Sequence, residues 1–295
     1  MRLNQVAREK STETGERSLL RENKKVITPL YLKEHSLFSC ISARIMTSSS
    51  RISPTSGVLF GLGVGPGDPE LITLKSLRIL QQTPIIAYPA SENGESFARS
   101  IISEHLLKGR PEKQIEIPIR LPFVALDRAP AQRIYDQAAA VLAEHLSAGE
   151  NVALLCEGDP FFYGSFQYLF ERLAPHHPIE VVPGITSFTA SAAALGMPLT
   201  ARNDVLTVLP GPLDAEDLRE RLLKTEAAVI MKIGRHFSKI RAVLEEIGLV
   251  ETARYIERAT LPNQRILPLH EIDPETVPYF SMILVHRKAS RRQAE

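Results

Sequence analysis

Gly61-Leu62-Gly63-Val64-Gly65-Pro66-Gly67-Asp68-Pro69-Glu70 joins an apolar run, Val58–Val64, to an amphipathic one, Glu70–Gln82. The run reads as a buried strand. The amphipathic stretch reads as a helix with Leu71, Leu74, Leu77, Ile79 and Leu80 on its apolar side. Asp68 followed by Pro69 is a helix start, because the carboxylate accepts from free N–H groups and proline fits the first turn. Strand, glycine turn and helix form the repeating unit of α/β folds, and in open sheets of that class ligands bind at the carboxyl ends of the strands. The turn is not a dinucleotide fingerprint. G-x-G-x-x-G would need glycine at 66 or 68, where Pro66 and Asp68 stand, and no acid follows the second strand at Tyr88-Pro89-Ala90. A phosphate loop is excluded too, since Gly-Lys-Ser/Thr occurs nowhere in the chain.

The same alternation continues downstream. Strands are expected at Ile85–Tyr88, Val152–Leu155, Ile179–Val182, Val205–Leu209, Ala228–Ile233, Tyr255–Ala259 and Phe280–Val285. Helices are expected at Phe97–Leu107, Pro130–Ser147, Phe162–Leu173, Thr186–Ala194, Asp214–Leu223 and Phe237–Ile247. The pattern predicts an α/β fold with parallel pairing. With 295 residues and 44% hydrophobic content, the chain has room for two cores. Two α/β domains are expected, over residues 57–181 and 182–295. Residues 1–56 read as a disordered extension ending in a serine-rich linker. Nine Lys/Arg stand against five glutamates from Met1 to Met46, and those acids argue against a transit peptide.

Composition narrows the function. A net charge of +1 disfavours a nucleic-acid binder, and no apolar run is long enough to span a membrane. Two cysteines, Cys40 and Cys156, exclude a disulfide framework, and no His/Cys/Asp cluster has metal-ligand spacing, so no metal is expected. Cys156 reads as a core residue, with no histidine near it in sequence to activate it; His176 and His177 read as surface residues.

Two more loops match the first in kind. Cys156-Glu157-Gly158-Asp159-Pro160-Phe161-Phe162-Tyr163-Gly164-Ser165 follows a buried strand, and Gly-Asp-Pro is again a turn. Pro183-Gly184-Ile185-Thr186-Ser187 opens a helix whose Ala190, Ala192, Ala193 and Ala194 permit close approach of another element.

Together these loops carry a resemblance. Gly63–Asp68, Gly158–Pro160 and Pro183–Ser187, followed by Met231-Lys232 and Glu257-Arg258-Ala259-Thr260, are similar in content and order to the motifs of the tetrapyrrole (corrin/porphyrin) methylases. The likeness covers roughly Gly57 to Val285. It implies a two-domain α/β enzyme that binds S-adenosylmethionine in the interdomain cleft. Carried over by position, the cofactor contacts are Pro66, Glu157, Gly158, Asp159, Phe162, Thr186, Ser187, Met231 and Ala259. Within the family, Ala87-Tyr88-Pro89, Glu157–Ser165, Met231–Arg235 and Glu257–Pro262 most resemble members that methylate carbon 20 of precorrin-2 in cobalamin synthesis.

The resemblance further implies a tetrapyrrole substrate, cytoplasmic location and a homodimer. Such a substrate bears many carboxylates, and Arg99, Arg120, Arg202, Lys232, Arg235 and Arg258 lie near loop ends as candidates to meet them, with His236 and Arg265 beside them. Arginine's bidentate pairing favours the arginines over Lys232. Some family members carry an Asp after the second strand; here Tyr88-Pro89-Ala90 stands there, so no catalytic base is named. The alternatives are methylation at another corrin carbon, an RNA ribose methylase of the same fold, or a non-enzymatic nucleotide-binding sensor.

Overall fold

Val152–Cys156 holds five residues with no charged side chain, all buried, and such a run belongs at the centre of a sheet covered on both faces. A computed structural model places it there, and describes residues 56–92, 94–102, 114–121 and 128–287, without the side chains of 128–131. The strands are β1 (Leu59–Gly63), β2 (Ile85–Ser91), β3 (Ile115–Leu121), β4 (Val152–Cys156), β5 (Ile179–Val182), β6 (Leu206–Pro210), β7 (Ala227–Met231), β8 (Ala253–Glu257), β9 (Arg265–Leu267) and β10 (Ser281–His286). The helices are α1 (Leu74–Gln82), α2 (Phe97–Ile101), α3 (Arg128–Ser147), α4 (Phe166–Leu173), α5 (Ser187–Ala194), α6 (Ala215–Leu223) and α7 (Phe237–Glu246). All of these elements fall in one unit, Ser49–Glu295. The expected extension, residues 1–56, lies outside the described residues except for Ser56, as do Cys40 and the part of the expected helix Phe97–Leu107 beyond 102.

The first sheet has the order β3-β2-β4-β1-β5, and its strands all pair in parallel. Helices cover both of its faces. Tyr135, Leu142, Leu146, Phe166 and Leu169 from α3 and α4 pack on one side. Ile79, Leu80, Ala98 and Ile101 from α1 and α2 pack on the other. The second sheet has the order β6-β7-β10-β8-β9. There only β6 and β7 pair in parallel; β10 runs antiparallel to both β7 and β8, and β9 antiparallel to β8. The expected parallel pairing therefore fails in this half. The reversal comes after β8: residues 258–264 hold no α-helix to carry a parallel crossover, so β9 returns antiparallel to β8, and β10, which shares the direction of β9, is inserted between β7 and β8. Helices α6 and α7 bury Leu218, Leu222, Phe237 and Ile240 on one face, and α5 lays Ala192 and Phe188 on the other.

Some expectations shift in detail. Asp68 caps only a single 3-10 turn, Pro69–Leu71, and the helix proper starts after Thr73, whose hydroxyl accepts from the Ser76 N–H. The later start turns Leu74 outward, 85% exposed, and buries Ser76, Ile79 and Leu80, one helical face at i, i+3, i+4. Strand β3 was not expected, because Pro118 interrupts it; it lies at the sheet edge, where proline is tolerated. His177 is buried rather than at the surface, its Nδ1 3.2 Å from Ser56 Oγ, and burial lowers its pKa. Cys156 is a buried free thiol, and loss of hydration pushes its pKa well up, so it is unreactive, as a core residue should be.

Gly61 leaves no room for a side chain: a Cβ there would lie 2.4 Å from Cζ of the buried Phe166. Gly61→Ala should cost about 1–3 kcal/mol of stability. In the Phe166→Leu background the same change should cost clearly less, a non-additivity that denaturant unfolding would measure. Additive losses would show that the two groups do not compete for space.

Candidate functional site

Three loops follow β1, β4 and β5, which lie side by side in the first sheet and so end at one edge. Their backbones touch. A Cβ on Gly184 would sit 1.9 Å from the Gly158 carbonyl oxygen, and one on Gly63 would sit 2.5 Å from the Gly184 nitrogen. The Gly158 N–H donates to the Gly65 carbonyl at 2.8 Å, and the Val64 N–H to the Cys156 carbonyl at 2.9 Å. Asp159 ties the third loop in: one carboxylate oxygen accepts from the Phe161 N–H at 2.9 Å, the other from the Gly184 N–H at 3.1 Å. Helix α1 is tethered to the same point through Ser76, whose hydroxyl donates to the Gly63 carbonyl at 3.1 Å.

The second sheet brings its own loops to this edge. Strands β6, β7 and β8 share one direction, so the turns after β7 and β8 lie together with the segment that enters β10. Four contacts join the two sets. The Asp68 N–H donates to Thr260 Oγ1 at 3.1 Å. Gly67 lies against Thr260 and Leu261, where a Cβ would come within 2.8 Å. The Phe97 and Phe280 rings are 4.3 Å apart between centroids. Lys232 Nζ stands 4.6 Å from the centroid of the Tyr163 ring.

Of the residues singled out from sequence, Pro66 and Gly158 are buried in the loop cluster. Gly158 adopts φ +62, which suits glycine, and faces Ile185, Thr186 and Ser187 at the start of α5. Thr186 stands at the helix start without capping it by its side chain, leaving the first N–H groups of α5 uncapped at this edge. Met231 and Ala259 are half-buried at the rim of the apolar layer that contains Phe188, whose ring is 5.1 Å from that of Phe162. Glu157 is exposed, yet partial loss of hydration raises its carboxyl pKa, and a hydrogen bond from the Ala98 backbone partly offsets the rise. Tyr279, missed in the sequence, faces it; its hydroxyl pKa is raised by loss of hydration and then by the Glu157 charge.

The basic residues do not gather. Arg99 forks onto Glu116, with Nε and Nη2 each 3.0 Å from a carboxylate oxygen, and its Nη1 donates to the Ile102 carbonyl. Arg258 donates to Glu257 Oε1 at 2.8 Å, and Arg265 reaches the same oxygen at 3.3 Å, while Tyr255 donates to Oε2 at 2.6 Å. The Glu257 hub was quoted in sequence but not recognised as one. Arg202 lies in the turn before β6, at the far edge of the second sheet. Arg120 is exposed at the end of β3, near the Glu92 carbonyl, and Arg235 is exposed beside His236, whose own pKa is lowered by burial. Lys232 lines a cavity of about 450 Å3 with Phe161, Phe162, Tyr163, Gly164, Ser165, Gln167 and Tyr168.

Strain marks the same edge. Among the described residues, five non-glycine residues have positive φ, and four of them, Tyr163, Lys232, Arg258 and Thr260, follow β4, β7 and β8. Each costs on the order of 1 kcal/mol and persists because its surroundings enforce it. Among those residues no group of three or more His, Cys, Asp or Glu is placed to hold a metal.

Two glycines separate crowding from strain. Gly184→Ala should cost at least about 2 kcal/mol, because its Cβ meets backbone that cannot yield. Gly196→Ala, at φ +60 with open space around it, should cost only about 1 kcal/mol. Equal losses in thermal unfolding would mean that the loops do not meet as described.

Known proteins share this arrangement. Residues 58–273 match the profile of the tetrapyrrole (corrin/porphyrin) methylases. The cobalamin biosynthesis protein CobIJ of Mycobacterium tuberculosis is 40% identical over 81% of this chain, which spans only 47% of that relative. The chain thus covers about half the length of the first curated relatives that it matches. The precorrin-2 C(20)-methyltransferase of a Sinorhizobium species is 41% identical over 78% of this chain and 95% of its own length. Among solved structures, the uroporphyrin-III C-methyltransferase of Thermus thermophilus, complexed with S-adenosylhomocysteine, superposes with a TM-score of 0.57 at 26% identity, covering 81% of this chain and 96% of that one. A profile match across both sheets, joined to a 41% identical relative matched along nearly its whole length, makes this chain a member of the tetrapyrrole (corrin/porphyrin) methylases.

Proposed function

We propose that this chain transfers the methyl group of S-adenosylmethionine to carbon 20 of precorrin-2, or of its cobalt-bearing counterpart, in cobalamin biosynthesis. The observation that carries the reading is the near full-length match to a relative named for that reaction. The chemistry of the loop edge fits the cofactor. The uncapped start of α5 suits a carboxylate, because its free N–H groups and helix dipole favour negative charge. Glu157, ionised against its surroundings, gains a counter-charge from a cationic donor. Met231 and Ala259 offer apolar surface to a flat ring. On this reading Pro66, Gly158, Asp159, Phe162, Thr186 and Ser187 complete the cradle, with Asp159 acting through the backbone it fixes.

When bound, S-adenosylmethionine supplies an electrophilic methyl on a positively charged sulfur. The chain's part is then placement. Loops braced backbone to backbone hold their groups in one geometry, and fixed geometry replaces much of the entropy cost of bringing two reactants together. Phe162, Phe188 and Phe280 give the rim apolar surface. We place the division between the two α/β domains where sheet membership changes, after Val182. A homodimer and a cytoplasmic location accompany the reading through family likeness; among the described residues no helix is long and apolar enough to cross a membrane.

Anaerobic incubation with S-adenosylmethionine and precorrin-2 or cobalt-sirohydrochlorin tests the activity. One added methyl by mass spectrometry, located at carbon 20 by NMR, is expected. Cofactor binding with no transfer to either tetrapyrrole defeats the assignment. Glu157→Gln tests the cradle. Because folding raises this pKa, the carboxylate is a liability above it, and the liability fades as pH falls through it. The variant should therefore melt higher than the parent at pH 7 but not at pH 4, while binding S-adenosylmethionine several-fold more weakly. Calorimetry showing unchanged affinity excludes Glu157 from the cradle.

A further inference from the structure

Lys232 is an ammonium whose surroundings do not account for it. It stands at φ +57 where β7 ends, and Tyr163, at φ +54, stands opposite after β4. The ammonium lies over the Tyr163 ring, 4.6 Å from its centroid, at the mouth of a cavity of about 450 Å3 walled by Phe161, Phe162 and Tyr168. Among the described residues no carboxylate pairs with it, whereas Arg99 and Arg258 are each engaged by a glutamate. Lys232 is exposed as a whole, and the protein around it still lowers its pKa, with no acid opposing the shift. A lone surface lysine would turn into water, at little cost along its flexible stem. Here two backbone positions that disfavour side chains hold lysine and tyrosine face to face across the two sheets. Tyrosine's ring partly replaces water around the cation and keeps it in one place.

An unpaired, partly dehydrated cation in an aromatic-walled cavity attracts a carboxylate carried on an apolar arm. We propose that the Lys232–Tyr163 pair is a carboxylate subsite that takes one acetate or propionate arm of the tetrapyrrole, Lys232 supplying the charge and Tyr163 the placement. The identity of the acid rests on the function proposed above; the existence of an anion subsite rests on the pair and its cavity. The arm's methylenes lie against the phenylalanine walls while its carboxylate meets Nζ. Of the arginines favoured from sequence, Arg99 and Arg258 are already paired with glutamates.

Steady-state methyl transfer with the full chain, compared across variants, tests the subsite. Lys232→Met should raise the KM for the tetrapyrrole about tenfold, leaving kcat and the Kd for S-adenosylhomocysteine within twofold. Lys232→Arg should recover most of the loss. Tyr163→Phe, which keeps the ring, should behave as the parent, and Tyr163→Leu should raise KM severalfold. An unchanged tetrapyrrole KM in Lys232→Met overturns the proposal, and so does a loss confined to S-adenosylhomocysteine binding, which would assign the lysine to the methyl donor. Should the parent chain methylate no tetrapyrrole at all, the function fails by itself, and absorbance titration with uroporphyrin, a stable polycarboxylate tetrapyrrole, decides the subsite. Weaker binding by Lys232→Met supports it; equal binding overturns it.

Discussion

Bare backbone against bare backbone is the constraint on which the rest of this molecule depends. The position that a Gly184 Cβ would take is 1.9 Å from the Gly158 oxygen, so three strand ends close into one surface only if no side chain stands there. Such a junction brings polar groups into contact without water, and unpaired groups there would each cost about 1–3 kcal/mol. They are paired. Gly65 and Gly158 form a short antiparallel bridge, and Asp159 divides its carboxylate between two loops. The consequence reaches function: a loop cluster braced by backbone keeps its shape while presenting few side chains of its own. This is why the conspicuous residues of these motifs are glycine, proline and aspartate, and not acids and bases poised for chemistry.

Rigidity in the first sheet leaves selectivity to the second. Its turns after β7 and β8 hold Lys232, Arg258 and Thr260 in left-handed conformations, each of which favours unfolding slightly. Three anchors oppose that tendency. Thr260 accepts from the Asp68 N–H, Phe280 stacks near Phe97, and the buried Glu257 gathers Tyr255, Arg258 and Arg265. Removing one partner from such a hub strands the others, which makes the hub stiff rather than strongly stabilising. The cores behind the strands supply the stability, and the edge draws on it.

Most of this was legible in the chain, and the exceptions share physical causes. Strands β1 and β4 announce themselves because a strand buried on both faces is apolar at every position. Strand β3 hides because Ile115-Glu116-Ile117-Pro118-Ile119-Arg120-Leu121 lies at an edge, where proline and charge are allowed. Asp68-Pro69 gives a true cap signal, but the sequence does not say whether a cap begins one turn or several; Thr73, which caps the helix that buries Ser76, Ile79 and Leu80, settles it. The reversal after β8 was readable from the lack of an α-helix between β8 and β9, an inference about connections rather than residues. At the site, the three glycine loops could be found because the signal is local. The fate of the arginines could not, because Arg99 finds Glu116 seventeen positions away through a fold that brings α2 beside β3.

Charge makes the final link between composition and recognition. A chain with net charge +1 exerts little long-range pull on a polyanion. Recognition must then come from individual cations in places where water is scarce, since attraction strengthens as the effective dielectric falls. The structure sorts its cations by what each one faces. Arg99 is engaged by Glu116, a carboxylate that stands beside it. Arg258 and Arg265 share one buried carboxylate, which fixes both guanidiniums and still leaves a positive excess at the turn after β8. Lys232 stands over a ring instead of an acid, and a ring holds a cation without cancelling it. The loops that are braced without side chains and the cations that are placed without being neutralised therefore meet at one edge, and each would be of little use to a methyl transfer without the other.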